Sequence, residues 1–223
     1  MLNKNISVYT RDLFDCKTDY LNELFCQSLY PWEIVSQIGE LTKRLVSEGI
    51  CGFEEIAEGV LVGKGCKISP TATIIPPAIF GEGCEIRPGA YIRGNVIVGK
   101  NCVIGNSTEM KNCILLDNVQ VPHYNYIGDS VLGNNSHMGA GAVCSNFKAD
   151  GKNVVVHSDE DYETGLRKLG AILGDGADIG CGSVLNPGTI VGKNTSVYPL
   201  TPLRGVYGSG LIVKDKDNVV ERI

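Results

Sequence analysis

The chain has 223 residues, 43% of them hydrophobic and 20% charged, the composition of an ordinary globular protein. A net charge of -5 with no basic stripe argues against a nucleic-acid binder. No apolar run approaches the ~20 residues of a membrane span. The opening MLNKNISVYTRD lacks an apolar signal segment, and the nine cysteines include no C-x-x-C pair, so the expected compartment is a reducing cytoplasm.

Residues 1 to about 30 carry no repeat and read as a short strand and helix. Tyr30-Pro31-Trp32-Glu33 starts a helix, with Pro at the first turn and an acid beside it. Ile34, Ile38, Leu41 and Leu45 share one face of it, and Gly49 ends it. That stripe must be buried against the end of the following domain or a neighbouring subunit, and capping an open end is the expected role. Residues 1–55 are thus an N-terminal helical cap segment.

From Val62 the sequence becomes periodic. Val62, Ile68, Ile74, Phe80, Ile86, Ile92, Val98 and Ile104 stand six apart, each followed four positions later by a compact residue, as in Cys66, Ala72 and Ala78. A period of six fits neither a helix nor a half-buried strand. It predicts an all-β parallel β-helix of hexapeptide repeats over residues 56–213, in which three hexads form one triangular coil. Cys66, Cys84 and Cys102, 18 apart, should stack on one edge as compact wall residues rather than a metal site. Register loosens through Met110 and Leu116, and a polar stretch follows from Val121 to Tyr126. The repeat recovers at Ile127 and runs through Leu132 and Met138 to Gly139 and Gly141. Residues 147–170 abandon it, an excursion long enough to predict a functional loop. It resumes at Leu173, Ile179, Leu185, Val191, Val197 and Leu203, for seven or eight coils in all. The charged tail, 214–223, is expected to fray or pack on the outside.

Only three histidines exist, His123, His137 and His157, at spacings of 14 and 20. These do not match the His…His-x4-His pattern of a γ-carbonic-anhydrase zinc site, so no metal is expected. His157 sits in a charged loop, whereas His123 follows Pro122 at a break in the repeat. Around it come, in order, Glu109-Met110-Lys111, His123-x-x-Tyr126-Ile-Gly-Asp129, Gly139-Ala-Gly141 and Cys144-Ser-Asn146, with Lys152 beyond.

This series resembles the acetyltransferase half of bacterial bifunctional N-acetylglucosamine-1-phosphate uridyltransferases. It resembles still more the C-terminal half of archaeal sugar-1-phosphate nucleotidylyltransferases with acetyltransferase activity. The resemblance covers residues 60 to 152, and the later stretch TGLRKLGAILGDG is similar to the archaeal form. It implies a left-handed β-helix, against the usual right-handed crossover rule. By position it implies His123 as general base, Arg87 and Lys111 as phosphate contacts, and Tyr126, Asn146 and Lys152 as further substrate contacts. Ala140 would lie beside the acetyl group. His137 stands where the family usually has Asn, which makes it a substrate contact or a second candidate base.

The activity so implied is acetyl transfer from acetyl-CoA to the amine of an amino-sugar phosphate, foremost glucosamine-1-phosphate. A histidine of near-neutral pKa suits removal of the amine proton, and glycine-rich turns at Gly139 to Gly141 suit donation of backbone N–H groups to an oxyanion. A homotrimer is expected, with residues 147–170 reaching across to a neighbour's pocket. The family's nucleotidyl domain, with its glycine-rich loop, has no counterpart in residues 1–55. Two alternatives accompany this reading: a non-catalytic hexapeptide-repeat partner of a separate nucleotidylyltransferase, and an acyltransferase for another amine.

Overall fold

Each hexad forms one short flat strand and one corner in the structure, a computed structural model that describes residues 6–215 and 217–222. Three successive hexads wind into a triangular coil, and the coils stack as a parallel β-helix. On the first face, rungs at Val60–Gly63, Ala78–Phe80, Val96–Val98, Cys113 to Leu115 and Ser130 to Leu132 pair in parallel. Ala171–Leu173, Thr189–Val191 and Val206–Tyr207 continue it. The second face runs from Lys67–Ile68 to Leu211–Asp215, and the third from Thr73–Ile75 to Pro202–Leu203. The inward residue of each first-face rung, such as Phe80, Val98, Leu115, Leu132, Leu173 and Val191, is fully buried in one continuous column.

The corners explain the compact residues. Cys66, Cys84 and Cys102 each donate a thiol hydrogen bond of 3.0 Å to a carbonyl of the next coil, at Gly81, Gly99 and Leu116. Asn95, Asn101, Asn112, Asn118, Asn135 and Asn194 take the left-handed backbone at other corners, which asparagine tolerates better than bulkier residues. Register loosens where the sequence says it does: Val96, Cys113 and Ser130 are rung neighbours, so two coils are one residue short.

The outward side of the first face is apolar at almost every rung, at Leu61, Ile79, Ile97, Ile114, Val131, Ile172 and Ile190, and all seven are buried. Their cover is the N-terminal segment, with helices α1 (Thr10–Leu13), α2 (Asp19–Gln27) and α3 (Pro31–Glu48). Glu33 accepts the Tyr30 N–H at 3.1 Å to start α3, and Ile34, Ile38, Leu41 and Leu45 face the rungs. The helix therefore lies along a flank, across four coils, and does not cap the open end. Only the first face offers an apolar outer column to receive it; the corresponding positions of the second face include Lys67, Glu85, Gln120, His137 and Asp178. Among the described residues two helices precede α3, where a strand and a helix are expected over residues 1 to about 30; residues 1–5 of that stretch lie outside the described residues.

One further expectation is corrected. Residues 147–170 do not reach outward: their hairpin, Val155–His157 with Asp161–Glu163, folds back beside α3, burying Val154, Val156 and Leu169. Tyr162 leans on Tyr30 and Trp32 with ring centroids 5.6 and 5.8 Å apart. Of the two alternatives for the tail, it packs: Leu211–Asp215 forms a rung of the second face and Asn218–Glu221 pairs with it antiparallel.

Candidate functional site

With the first face covered, the predicted site residues map onto the second and third faces, and chiefly onto the two edges that bound the third. At the edge between the second and third faces, Asn106 and His123 are rung neighbours. Ala140 follows one coil above and Cys181 above that, as the bonds from Gly141 N to His123 O and from Gly182 N to Ala140 O require. Arg87 lies one coil below Asn106 and two below His123, and is tied to Glu85 at 3.0 Å.

Asn125 builds this edge. Its side chain is 2% exposed; its amide nitrogen donates to the carbonyls of Gly139 at 2.8 Å and Ala142 at 3.2 Å, while its amide oxygen accepts the His123 N–H at 3.2 Å. The turn carrying His123 is thereby stapled to the turn carrying Ala140. The His123 ring itself is exposed and makes no side-chain hydrogen bond among the described residues. The glycine-rich turn differs from expectation. Gly139 N–H donates to Ile179 O at 2.7 Å and Gly141 N–H to His123 O at 3.0 Å, because coil stacking requires these ladder bonds. Among the described residues the Ala140 N–H is the donor of that turn left without a backbone acceptor.

At the edge between the third and first faces, Lys111 is the rung neighbour of Gly128, and Tyr126 precedes it on the same strand. A Cβ on Gly128 would stand 2.6 Å from both the Tyr126 hydroxyl and the Asn146 amide nitrogen, so glycine leaves room for these two groups to converge. The Asn146 amide donates a short hydrogen bond, 2.5 Å, to Asp129 Oδ2, and Asn112 donates to Asp129 Oδ1 at 2.9 Å. Burial first, and then the Asp129 charge, push the Tyr126 phenol above its ordinary pKa; the contact with Asn146 opposes them.

The structure thus brings Lys111, Tyr126 and Asn146 together at one edge and His123 with Ala140 at the other. A full prism face lies between the two groups. Arg87 and Lys111 sit on opposite sides of that face, so one chain does not close them on a single phosphate. Lys152 lies near the base of the excursion, just after the turn at Lys148 to Gly151, with its backbone N–H on Asp150. His137 stands on the second face, one coil above Gln120, with Nδ1 2.8 Å from Asp178 Oδ1. No set of three or more His, Cys, Asp and Glu side chains is placed to hold a metal among the described residues. Sequence reading missed Asn125, Asp129, Asn112 and Asp178. The first two lie inside the quoted motif, but the partners that give them their tasks are 14 to 17 residues away in sequence. Asp178 is 41 residues from His137.

The family model for the GMPPB C-terminal domain matches residues 74–161. The bifunctional protein GlmU of Methanococcus aeolicus is 34% identical over 168 residues, covering 74% of this chain and 41% of its own length. The bifunctional sugar-1-phosphate nucleotidylyltransferase/acetyltransferase of Sulfurisphaera tokodaii is 32% identical over 112 residues, covering 50% of this chain and 28% of its own length. The chain therefore spans less than half the length of these curated relatives. A hexapeptide transferase family protein from Anaplasma phagocytophilum aligns with a TM-score of 0.47 and 18% identity, over 74% of this chain and 79% of that one. The resemblance drawn from the motifs around His123 holds: the chain is similar to these bifunctional enzymes.

Proposed function

We propose that this chain is an N-acetyltransferase that moves acetyl from acetyl-CoA to the amine of an amino-sugar phosphate, with glucosamine-1-phosphate as the expected acceptor. One observation carries the reading: the residues that the resemblance implies sort into two polar groups on the two edges of one uncovered prism face. A threefold assembly that sets the His123 edge of one copy against the Tyr126 edge of the next would join them. The homotrimer and a cytoplasmic setting belong to the proposal.

In such a site His123 takes the proton from the attacking amine, which is nucleophilic only when neutral. The Ala140 N–H faces the developing oxyanion, replacing the broader set of glycine donors. Tyr126 and Asn146 orient sugar hydroxyls, and Lys111, Arg87 and Lys152 supply positive charge for the phosphate. No nucleotidyl transfer is included, since the described residues ahead of the prism form the flank cover α1–α3.

A second assignment of the base has its own support. The pair His137 Nδ1 and Asp178 Oδ1, at 2.8 Å, is a base with an orienting carboxylate on a partly exposed side chain. The deciding experiment is a thiol-release assay with acetyl-CoA against a panel of amino sugars. Release with glucosamine-1-phosphate supports the reading, release with another amine alone moves the acceptor, and none with any amine favours a non-catalytic partner of a nucleotidylyltransferase.

A further inference from the structure

Asp129 is a carboxylate that the proposed chemistry does not use, yet it is 6% exposed and its backbone is left-handed, φ 49°. A buried charge without compensation is costly, so its partners matter. They are two amides. Asn112 donates to Oδ1, and the same amide nitrogen lies 3.4 Å from the Val35 carbonyl of α3. Asn146 donates to Oδ2. The Asp129 carbonyl in turn accepts the Gly170 N–H at 2.8 Å, where the excursion rejoins the prism. Helix, excursion and third face therefore converge on this residue. Lys43, Arg167 and Lys168 line the cleft of about 350 Å³ beside it, and no ion pair reaches it among the described residues.

We infer that Asp129 is a positioning residue for acetyl transfer, locking the Asn146 amide in one orientation so that its nitrogen serves Asp129 and Tyr126 and its oxygen is presented to the acceptor. The inference rests on the acetyltransferase reading above. The physical reason is that an amide can turn over and exchange its donor and acceptor ends, whereas an ionised carboxylate only accepts. Facing Asp129, the nitrogen of Asn146 is the end that satisfies both sides. The Tyr126 oxygen lies close to the same nitrogen, so the second hydrogen of the amide is available to it, and the phenol hydrogen is then free to donate to a sugar hydroxyl. A neutral amide in place of the carboxylate would present a donor as readily as an acceptor, and the lock would be lost.

The test compares steady-state kinetics and melting for wild type, D129N, N112A and the exchange D129N/N146D. We expect D129N to lower kcat/KM for the acceptor by about 10- to 100-fold, the weight of one charge-assisted hydrogen bond, with KM for acetyl-CoA unchanged. N112A, which removes the contact with Val35 and the donor to Oδ1 but leaves Asn146 on Oδ2, should lower the melting temperature and leave turnover within about twofold. The exchange restores a donor–acceptor pair, so melting should recover; turnover should not, because the carboxylate that N146D introduces has no N–H for Tyr126. Recovery of turnover in the exchange, or a loss in N112A equal to that in D129N, would show a merely structural role and overturn the inference. If D129N does not fold, N146A and D129A/N146A ask the same question. Equal turnover supports the path through Asn146, and a further loss of about tenfold overturns it. An active wild type with an unaffected D129N fails this inference alone, while a wild type without thiol release fails the acetyltransferase reading first.

Discussion

Replacing Asn125 by Ala tests whether the His123 edge is held by one buried amide. The change removes the donor to the Gly139 and Ala142 carbonyls and the acceptor of the His123 N–H, all around a side chain that is 2% exposed. The Gly139 carbonyl keeps the Ala142 N–H at 3.1 Å, so the groups left unsatisfied are the Ala142 carbonyl, at about 2 kcal/mol, and the partly accessible His123 N–H, at about 1 kcal/mol. A total of about 3 kcal/mol is therefore expected. For a chain of this size, about 2–4 °C per kcal/mol gives a fall in melting temperature of roughly 6–12 °C. Turnover should fall further than stability alone explains, because the turns of His123 and Ala140 are no longer fixed to one another. Thermal melts and denaturant titrations at one fixed protein concentration, with acetyl transfer measured well below the melt, give both numbers. A loss under about 0.5 kcal/mol with unchanged turnover would refute the staple.

His123→Ala should lower turnover by about 10²–10⁴-fold with little effect on acetyl-CoA binding; if His137→Ala is the dead variant instead, the base is His137 with Asp178 behind it. Glucosamine-1-phosphate should be acetylated at least ~10²-fold more efficiently than glucosamine, with much of that preference erased by Lys111→Ala or Arg87→Ala; equal rates on both sugars reject phosphate recognition. His123→Ala and Asn146→Ala chains, each strongly impaired alone, should regain roughly a quarter of wild-type activity when refolded together in equal amounts if each site joins edges of two copies, and gain nothing if it lies in one chain. Burial raises the thiol of Cys16 to about 11 and that of Cys144 to about 12, from 9.0. The folded values exceed the unfolded one, so the neutral thiols' contribution is fully present below about pH 9 and is lost as pH rises through the folded values. Melting temperature should drop between those limits, less steeply in Cys144→Val, and a flat profile to pH 11 would contradict it.

The prism was legible because its rule is local: a six-residue period leaves an unmistakable column from Val62 to Ile104. The stripe of α3 was also legible, but its destination was not. Leu61, Ile79 and Ile97 each precede a core residue and read as ordinary strand neighbours; only the stacking of coils shows that they form an outer apolar column. The candidate site divides in the same way. His123, Tyr126 and Asn146 stand in order in the sequence, whereas their assignment to opposite edges depends on where each coil turns. Asn125 was hidden because an asparagine beside a histidine in a polar turn resembles any solvated turn residue. The excursion was legible as a break in the repeat, but its direction was not, because Val154, Val156 and Leu169, which bury it beside α3, are few and follow no period.

The flank cover reverses the order in which this chain can acquire structure as it is synthesised. The α3 residues Ile34, Ile38 and Leu41 leave the ribosome before any of the rungs they cover. The last rung that α3 touches ends at Leu132, so the helix must wait for almost a hundred further residues with its apolar stripe unmatched. Contacts of such sequence separation form late and leave greasy surface open to the wrong partner in the meantime. A nascent chain halted shortly after Val62 should therefore be the species that chaperones hold most tightly, and one halted beyond Leu132 should be released.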